Sequence, residues 1–216
     1  MKIINVEELA IPEIRVVKFA KFADKRGYFC EHFRKSDLEK HQGLQFFKHF
    51  TFVQTNESHS RKGVIRGLHF QWNPYMGKLV RTISGHMVDM ALDIRHGSPT
   101  SGEIILYDMP VDEKSSWGEW IWIPPGFAHG NFFLKDTIIE YFCTGEYNPE
   151  GEIVISPFSS DIDWSLVDQN LKREFDNLSN TDLISERDKG GFSISEWQQN
   201  KLSKEFDYQK IKKLGF

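Results

Sequence analysis

At 216 residues the chain can bury one substantial hydrophobic core, and it is a little long for a minimal domain. Its 18 Phe and 6 Trp, with β-branched residues crowding the first three quarters, argue against a helical bundle and for a β-rich fold. A net charge of −4 with no basic run argues against nucleic acid as the main partner.

The N-terminal MKIINVEELAIPEI carries acids and a proline where a signal peptide needs an unbroken apolar run. No stretch approaches the ~18 apolar residues of a membrane span. Cys30 and Cys143 lie inside apparent strands and form no CxxC pair. Buried, inert thiols in a reducing cytoplasm are expected. Residues 14–33 read as two strands, IRVVKFAKF and YFCEHF, joined by ADKRG. Gly27 in that turn is free to take positive φ. Ser36–Gly43 predicts a short polar helix.

From Phe50 onward strand-like runs recur every 8–12 residues: FTFVQTN, GVIRGLHFQ, KLVRTIS, HMVDMALDI, EIILYDMP, EWIWIP, GNFFL, TIIEYFC and EIVIS. HMVDMALDI alternates, with Met87, Asp89, Ala91 and Asp93 on one face and Val88, Met90, Leu92 and Ile94 on the other. About ten short strands without long helices between them predict an all-β sandwich or barrel.

After Ser156 the character changes. SLVDQNLKREFDNL places Leu166, Leu171, Phe175 and Leu178 near one helical stripe, and Ser193 with Glu196 forms a capping-box pattern. No Pro/Gly/Ser-rich linker and no internal repeat divides the chain. The expectation is a β-sandwich core over 1–157 with a helical C-terminal extension over 158–216 packed on its outside, within one domain.

Polar residues are dense for β-sequence around VIRGLHFQ: Gln54, Asn56, Arg66, His69, Lys78, Asp89, Asp93, His129, Tyr141, Tyr147 and Glu152. A half-buried sheet carrying this many polar groups must pair them, solvate them or apply them to a ligand. Read singly, Tyr141 could be core, Arg26 an ordinary turn charge and Gly67 a backbone requirement. Asp89 and Asp93 fit salt bridges within the sheet as well as contacts to His69. Read together, they describe a lined pocket in a barrel mouth.

The segments DKRGYFCEHF, FVQTNESHSRKGVIRGLHFQ, GKLVRTISG, VDMALDIRHGSPTSG, WIPPGFAHGNF and YNPEGE resemble, in order, those of the dTDP-4-dehydrorhamnose 3,5-epimerases. These are nucleotide-sugar enzymes of the cupin fold, a double-stranded β-helix or jelly roll. The resemblance runs from about Phe22 to Asp188. It implies an isomerase that inverts C3 and C5 of a dTDP-4-keto-6-deoxyhexose through an enolate, without metal or redox cofactor, in deoxysugar supply for polysaccharide.

By that resemblance His69 is the base, Asp188 its acidic partner, Lys78 the cation at the enolate oxygen and Tyr141 the acid on the far face. Arg26 and Arg66 would hold phosphates or sugar oxygens. Glu31, Gln54, Thr55, Asn56, His129, Glu152 and Arg187 match positions that contact the nucleotide sugar, and Tyr147 the residue that stacks on the base. Arg26 and Glu31 would reach the neighbouring subunit's pocket in a homodimer with exchanged N-terminal strands. The chain departs from the family between Asp163–Trp164 and Asp188, where LVDQNLKREFDNL looks like an inserted helix; Asp182 is then the alternative acid. The tail after Gly191 is a second departure.

Three rivals stand beside this reading. A mono-epimerase, or an epimerase of another nucleotide hexose, would share the same acid and base. A metal cupin needs two or three His with a carboxylate, and no HxH occurs. A non-catalytic sugar-binding cupin should lack one of His69, Lys78 and Tyr141, and all three are present.

Overall fold

The structure, a computed structural model, describes residues 1–178 and 182–215. The N-terminal part supplies β1 (Ile3–Glu8), β2 (Arg15–Ala20), the short pair β3 (Phe22–Asp24) and β4 (Gly27–Phe29), helix α1 (Lys35–Lys40) and a 3₁₀ segment over Gln42–His49. Then come β5 (Gln54–Ser60), β6 (Ile65–Gln71), β7 (Lys78–Ser84), β8 (His86–Asp93), β9 (Ile104–Pro110), β10 (Trp117–Ile123), β11 (Phe127–Phe133), β12 (Thr137–Cys143) and β13 (Glu152–Val154). Helices α2 (Gln169–Leu178), α3 (Glu186–Lys189), α4 (Ile194–Gln199) and α5 (Tyr208–Lys212) follow, with a 3₁₀ segment at Lys201–Phe206.

Apart from the β3–β4 hairpin, the strands form two antiparallel sheets, ordered β1-β2-β10-β7-β12-β5 and β13-β6-β11-β8-β9. They face each other as the sandwich that the strand spacing predicts, and as the jelly roll that the family resemblance implies. The alternation of β8 shows how the layers are filled. Met87 and Ala91 pack with Val80, Ile121, Phe133 and Ile139 between the sheets. Val88, Met90 and Leu92 point outward into a second cluster with Phe175, Trp197, Phe206 and Ile211 from the C-terminal helices. A third cluster lies on the outer face of the six-stranded sheet, where Phe46, Phe47 and Phe50 surround Trp122. Both faces of β8 are therefore buried, and burying an aliphatic side chain contributes about 1.5–3 kcal/mol.

Several local expectations need correction. The strand predicted over 28–33 stops at Phe29, so Cys30 lies outside it. Trp120 Nε1 donates to the His32 carbonyl at 2.6 Å and the Phe33 ring packs tilted against Phe142 at 4.9 Å, so this segment is used for lining the sheet. FTFVQTN becomes strand only from Gln54, because Phe50 and Phe52 turn toward the Trp122 cluster. The helix expected at 36–43 spans 35–40 and passes into the 3₁₀ turn. Leu166 is 39% exposed and precedes α2, which starts where the Asp168 carboxylate accepts the N–H groups of Asn170 (2.8 Å) and Leu171 (3.3 Å). Ser193 and Glu196 form the reciprocal capping box that their spacing predicts. Gly27 has φ +134° with open space around it, as the turn requires.

Candidate active site

Strand β6 carries the decisive irregularity. Its pairing with β11 matches His129 to His69 but Asn131 to Arg66, two residues against three, so a bulge lies at Gly67–Leu68. Strict alternation would send Arg66 and His69 to opposite faces. With the bulge, both line one cavity of about 520 Å³ between the sheets. Gly67 permits this. Its φ is +109°, and a Cβ there would stand 2.6 Å from Gly130 Cα and 2.7 Å from the His129 carbonyl.

An adjoining cavity of about 490 Å³ shares Ser58, His69, Lys78, Tyr141 and Arg187 with the first. His69 comes from the five-stranded sheet, whereas Lys78 and Tyr141 come from the six-stranded one. The imidazole and the phenol thus face the same space from opposite walls.

His69 Nε2 lies 2.8 Å from Asp188 Oδ1, and Nδ1 lies 3.7 Å from Glu152 Oε1. Asp188 Oδ2 also accepts the Gly67 N–H at 3.2 Å, and Ser185 caps α3 by accepting the Asp188 N–H. Burial works to raise the Asp188 carboxyl. The hydrogen bond and charge of His69, with the Gly67 N–H and Ser185, outweigh it and hold the group below the ordinary carboxylate range.

Desolvation pushes the Lys78 ammonium below the ordinary lysine range, against the pull of Cys143, Glu152 and Asp89. Burial raises the Tyr141 phenol, and Cys143 adds to this, while Arg66 and Asn56 oppose it. Burial also lowers His129, whose Nε2 lies 2.8 Å from Asp89 Oδ2. The cavity therefore holds a carboxylate-oriented imidazole, a desolvated lysine amine and a neutral phenol. Such a set can abstract, stabilise and return a proton beside a carbonyl. Among the described residues no group of three or more His, Cys, Asp and Glu could hold a metal ion.

The family model for dTDP-4-dehydrorhamnose 3,5-epimerase matches residues 8–204. The chain belongs to this family. It is a family of epimerases, and so of isomerases. A Neisseria gonorrhoeae dTDP-4-dehydrorhamnose 3,5-epimerase is 40% identical over 152 residues, covering 70% of this chain but 44% of that protein. The chain's match thus spans less than half the length of that relative. An Escherichia coli dTDP-4-dehydrorhamnose 3,5-epimerase is 34% identical over 92% of this chain and 98% of its own length. The crystal structure of a Legionella pneumophila dTDP-6-deoxy-D-glucose-3,5-epimerase in complex with dTDP-4-keto-L-rhamnose superposes with TM-score 0.74 at 32% identity, covering 88% of this chain and 93% of that one.

Of the residues singled out in the sequence, the two cavities gather Gln54, Asn56, Arg66, His69, Lys78, His129, Tyr141, Tyr147, Glu152, Arg187 and Asp188. Arg187 pairs with Glu152 Oε2 at 2.6 Å, and Tyr147 donates to the same oxygen at 3.1 Å. Three residues fall elsewhere. Thr55 is exposed, on the strand face opposite Gln54 and Asn56. Arg26 caps the β3–β4 turn in a 2.6 Å pair with Asp24. Glu31 pairs with Arg34 and the N-terminal ammonium. Asp182, the alternative acid, is exposed and lines neither cavity.

Asp89 and Asp93 part company. Asp93 is buried against Arg95 at 2.8 Å, so it belongs to the core. Asp89 accepts Asn131 at 2.9 Å beside its contact with His129, and among the described residues its other oxygen has no hydrogen-bond partner. Cys143, read as a buried thiol, lines the cavity beside Lys78 and accepts Asn56 Nδ2 at 3.7 Å. Its period-2 spacing from Tyr141 was the signal for that placement.

Proposed function

We propose that the chain inverts C3 and C5 of a dTDP-linked 4-keto-6-deoxyhexose, converting dTDP-4-dehydro-6-deoxy-D-glucose to dTDP-4-dehydro-L-rhamnose. The observation that carries this is the placing of His69 and Tyr141 on opposite walls of one cavity. Inversion needs a proton removed from one face of the sugar and another returned to the opposite face. Protons α to the ketone are acidified by it, so a positioned base suffices to form the enolate. With His69 donating Nε2–H to Asp188, its lone pair sits on Nδ1, and the imidazolium formed on abstraction is stabilised by the carboxylate. Lys78, in a desolvated setting, would meet the charge that develops on the enolate oxygen. Tyr141, held neutral by burial, is a proton donor.

Gln54, Asn56, Arg66, His129, Glu152 and Arg187 supply polar contacts for sugar and phosphates, and Tyr147 a stacking face for the base. Arg26, Glu31 and Thr55 do not serve the cavity of their own chain. We assign Arg26 and Glu31 to a partner's cavity in a homodimer with exchanged N-terminal strands. In support, Phe22, Tyr28 and Phe29 on the β3–β4 hairpin are 52, 57 and 70% exposed, an apolar surface that a second copy would cover. We also take the core and the C-terminal extension as one domain, and the compartment as the cytoplasm, in keeping with two free cysteines.

The test is NMR of dTDP-4-keto-6-deoxyglucose in D₂O with the enzyme, His69→Ala and Tyr141→Phe. Deuterium at both C3 and C5, lost in His69→Ala, is the expected result, with Tyr141→Phe slower in forming inverted product by about 10²–10⁴. Incorporation at a single carbon would make the enzyme a mono-epimerase. None at either carbon would refute the assignment.

A further inference from the structure

Gln71, the last residue of β6, is 3% exposed and every polar atom of its side chain is engaged. Nε2 donates to the Pro74 carbonyl at 3.1 Å and the Glu146 carbonyl at 3.0 Å, and Oε1 accepts the Asn148 N–H at 2.8 Å. Glu146 and Asn148 are the two chain neighbours of Tyr147. The Tyr147 N–H itself donates to Gln54 Oε1 at 2.8 Å. Three successive backbone groups are therefore held by two glutamines, one on each sheet, while the Tyr147 side chain stays at the cavity edge with the residue 51% exposed.

A loop at a binding site ordinarily opens locally, and a ligand that orders it loses affinity. Here the ring is left open for contact while its backbone is already fixed. We propose that Gln71 is a positioning residue for nucleotide binding, acting through Tyr147 by fixing the backbone on either side of the ring. This rests on the reading of Tyr147 as the platform for the nucleobase. A purely structural role, satisfying buried carbonyls, is the alternative, and the two differ in whether Gln71 matters once the ring is gone.

The experiment is calorimetric titration of the full chain with dTDP, for the parent, Gln71→Met, Tyr147→Ala and the double variant. Gln71→Met removes all three hydrogen bonds at similar volume. Each single substitution is expected to weaken dTDP about tenfold, the scale of one stacking contact, and the double to lie within about twofold of Tyr147→Ala alone. Parent-like affinity in Gln71→Met, or a double weakened multiplicatively by about a hundredfold, would overturn the proposal. Parent-like affinity in Tyr147→Ala would instead remove the platform reading, and the proposal with it. Should Gln71→Met fail to fold, Gln71→Glu takes its place in the cycle. It keeps the acceptor for Asn148 and loses both donated bonds.

Discussion

His69 and Asp188 stand 119 residues apart in the chain, yet Nε2 and Oδ1 meet at 2.8 Å. The contact is made by a four-residue helix, α3, whose cap Ser185 holds the Asp188 backbone, so the carboxylate is presented by a fixed turn.

The sign of this pair's pH dependence follows from the lowered Asp188 pKa. A carboxyl lower in the folded than in the unfolded chain stabilises the fold fully above its unfolded value, about 3.9. That contribution is lost as pH falls through the folded value. Asp188→Asn should therefore be less stable than the parent at neutral pH, and the difference should shrink toward pH 3. Thermal melts across that range check it. Turnover should fall by about 10²–10⁴, since the imidazole loses the group that orients it.

Lys78 gives the opposite sign. Its ammonium is pushed down by desolvation, so protonating this amine costs more in the folded chain than in the unfolded one. Lys78→Met should raise Tm while lowering kcat by about 10²–10³. Each 1 kcal/mol gained reads as about 2–4 °C in a chain of this size. The gain should diminish as pH climbs toward the unfolded lysine value of about 10.4. A variant that lost both stability and activity would contradict this account of the site.

Gly67→Ala tests the bulge. The new Cβ meets backbone at 2.6 Å from Gly130 Cα, and backbone cannot swing aside as a side-chain tip can. A loss of about 1–3 kcal/mol is expected from overpacking and positive φ, with the pairing of His69 to Asp188 disturbed as well. Denaturant unfolding measures the first, and the His69 imidazole resonances measure the second.

How far the sequence could be read depended on the range of the interaction. Strand positions and the inward alternation of Met87, Asp89 and Ala91 follow from period-2 patterning, which local sequence carries. The placing of Arg66 with His69 does not, because one extra residue in a bulge reverses the parity and only the β11 pairing specifies it. The same limit governs Asp89, which took His129 as partner in place of His69. Cys30–Phe33 has strand composition, but tertiary packing against Trp120 and Phe142 overrides it. The return of Asp188 past an inserted helix rests on the family resemblance and on α3, with nothing in the spacing to dictate it.

The C-terminal extension supplies a last prediction. Trp197 is fully buried, donates Nε1–H to the Ile94 carbonyl at 2.8 Å and packs edge-on against Phe70 at 4.8 Å. Phe70 is the outward neighbour of His69 on β6, and Phe206 meets both it, at 5.1 Å, and Trp197, at 5.6 Å. Tyr75 joins the same cluster, donating to the Glu205 carbonyl at 2.6 Å. The extension is thus the rear wall of the strand that carries the base. Trp197→Ala leaves a cavity and an unpaired carbonyl there, and such truncations cost about 3–5 kcal/mol. Calorimetric unfolding should show one transition, shifted down as a whole, because the same cluster holds both the sheet and the helices. A second, separate transition confined to the tail would show that the extension folds on its own and that His69 does not depend on it.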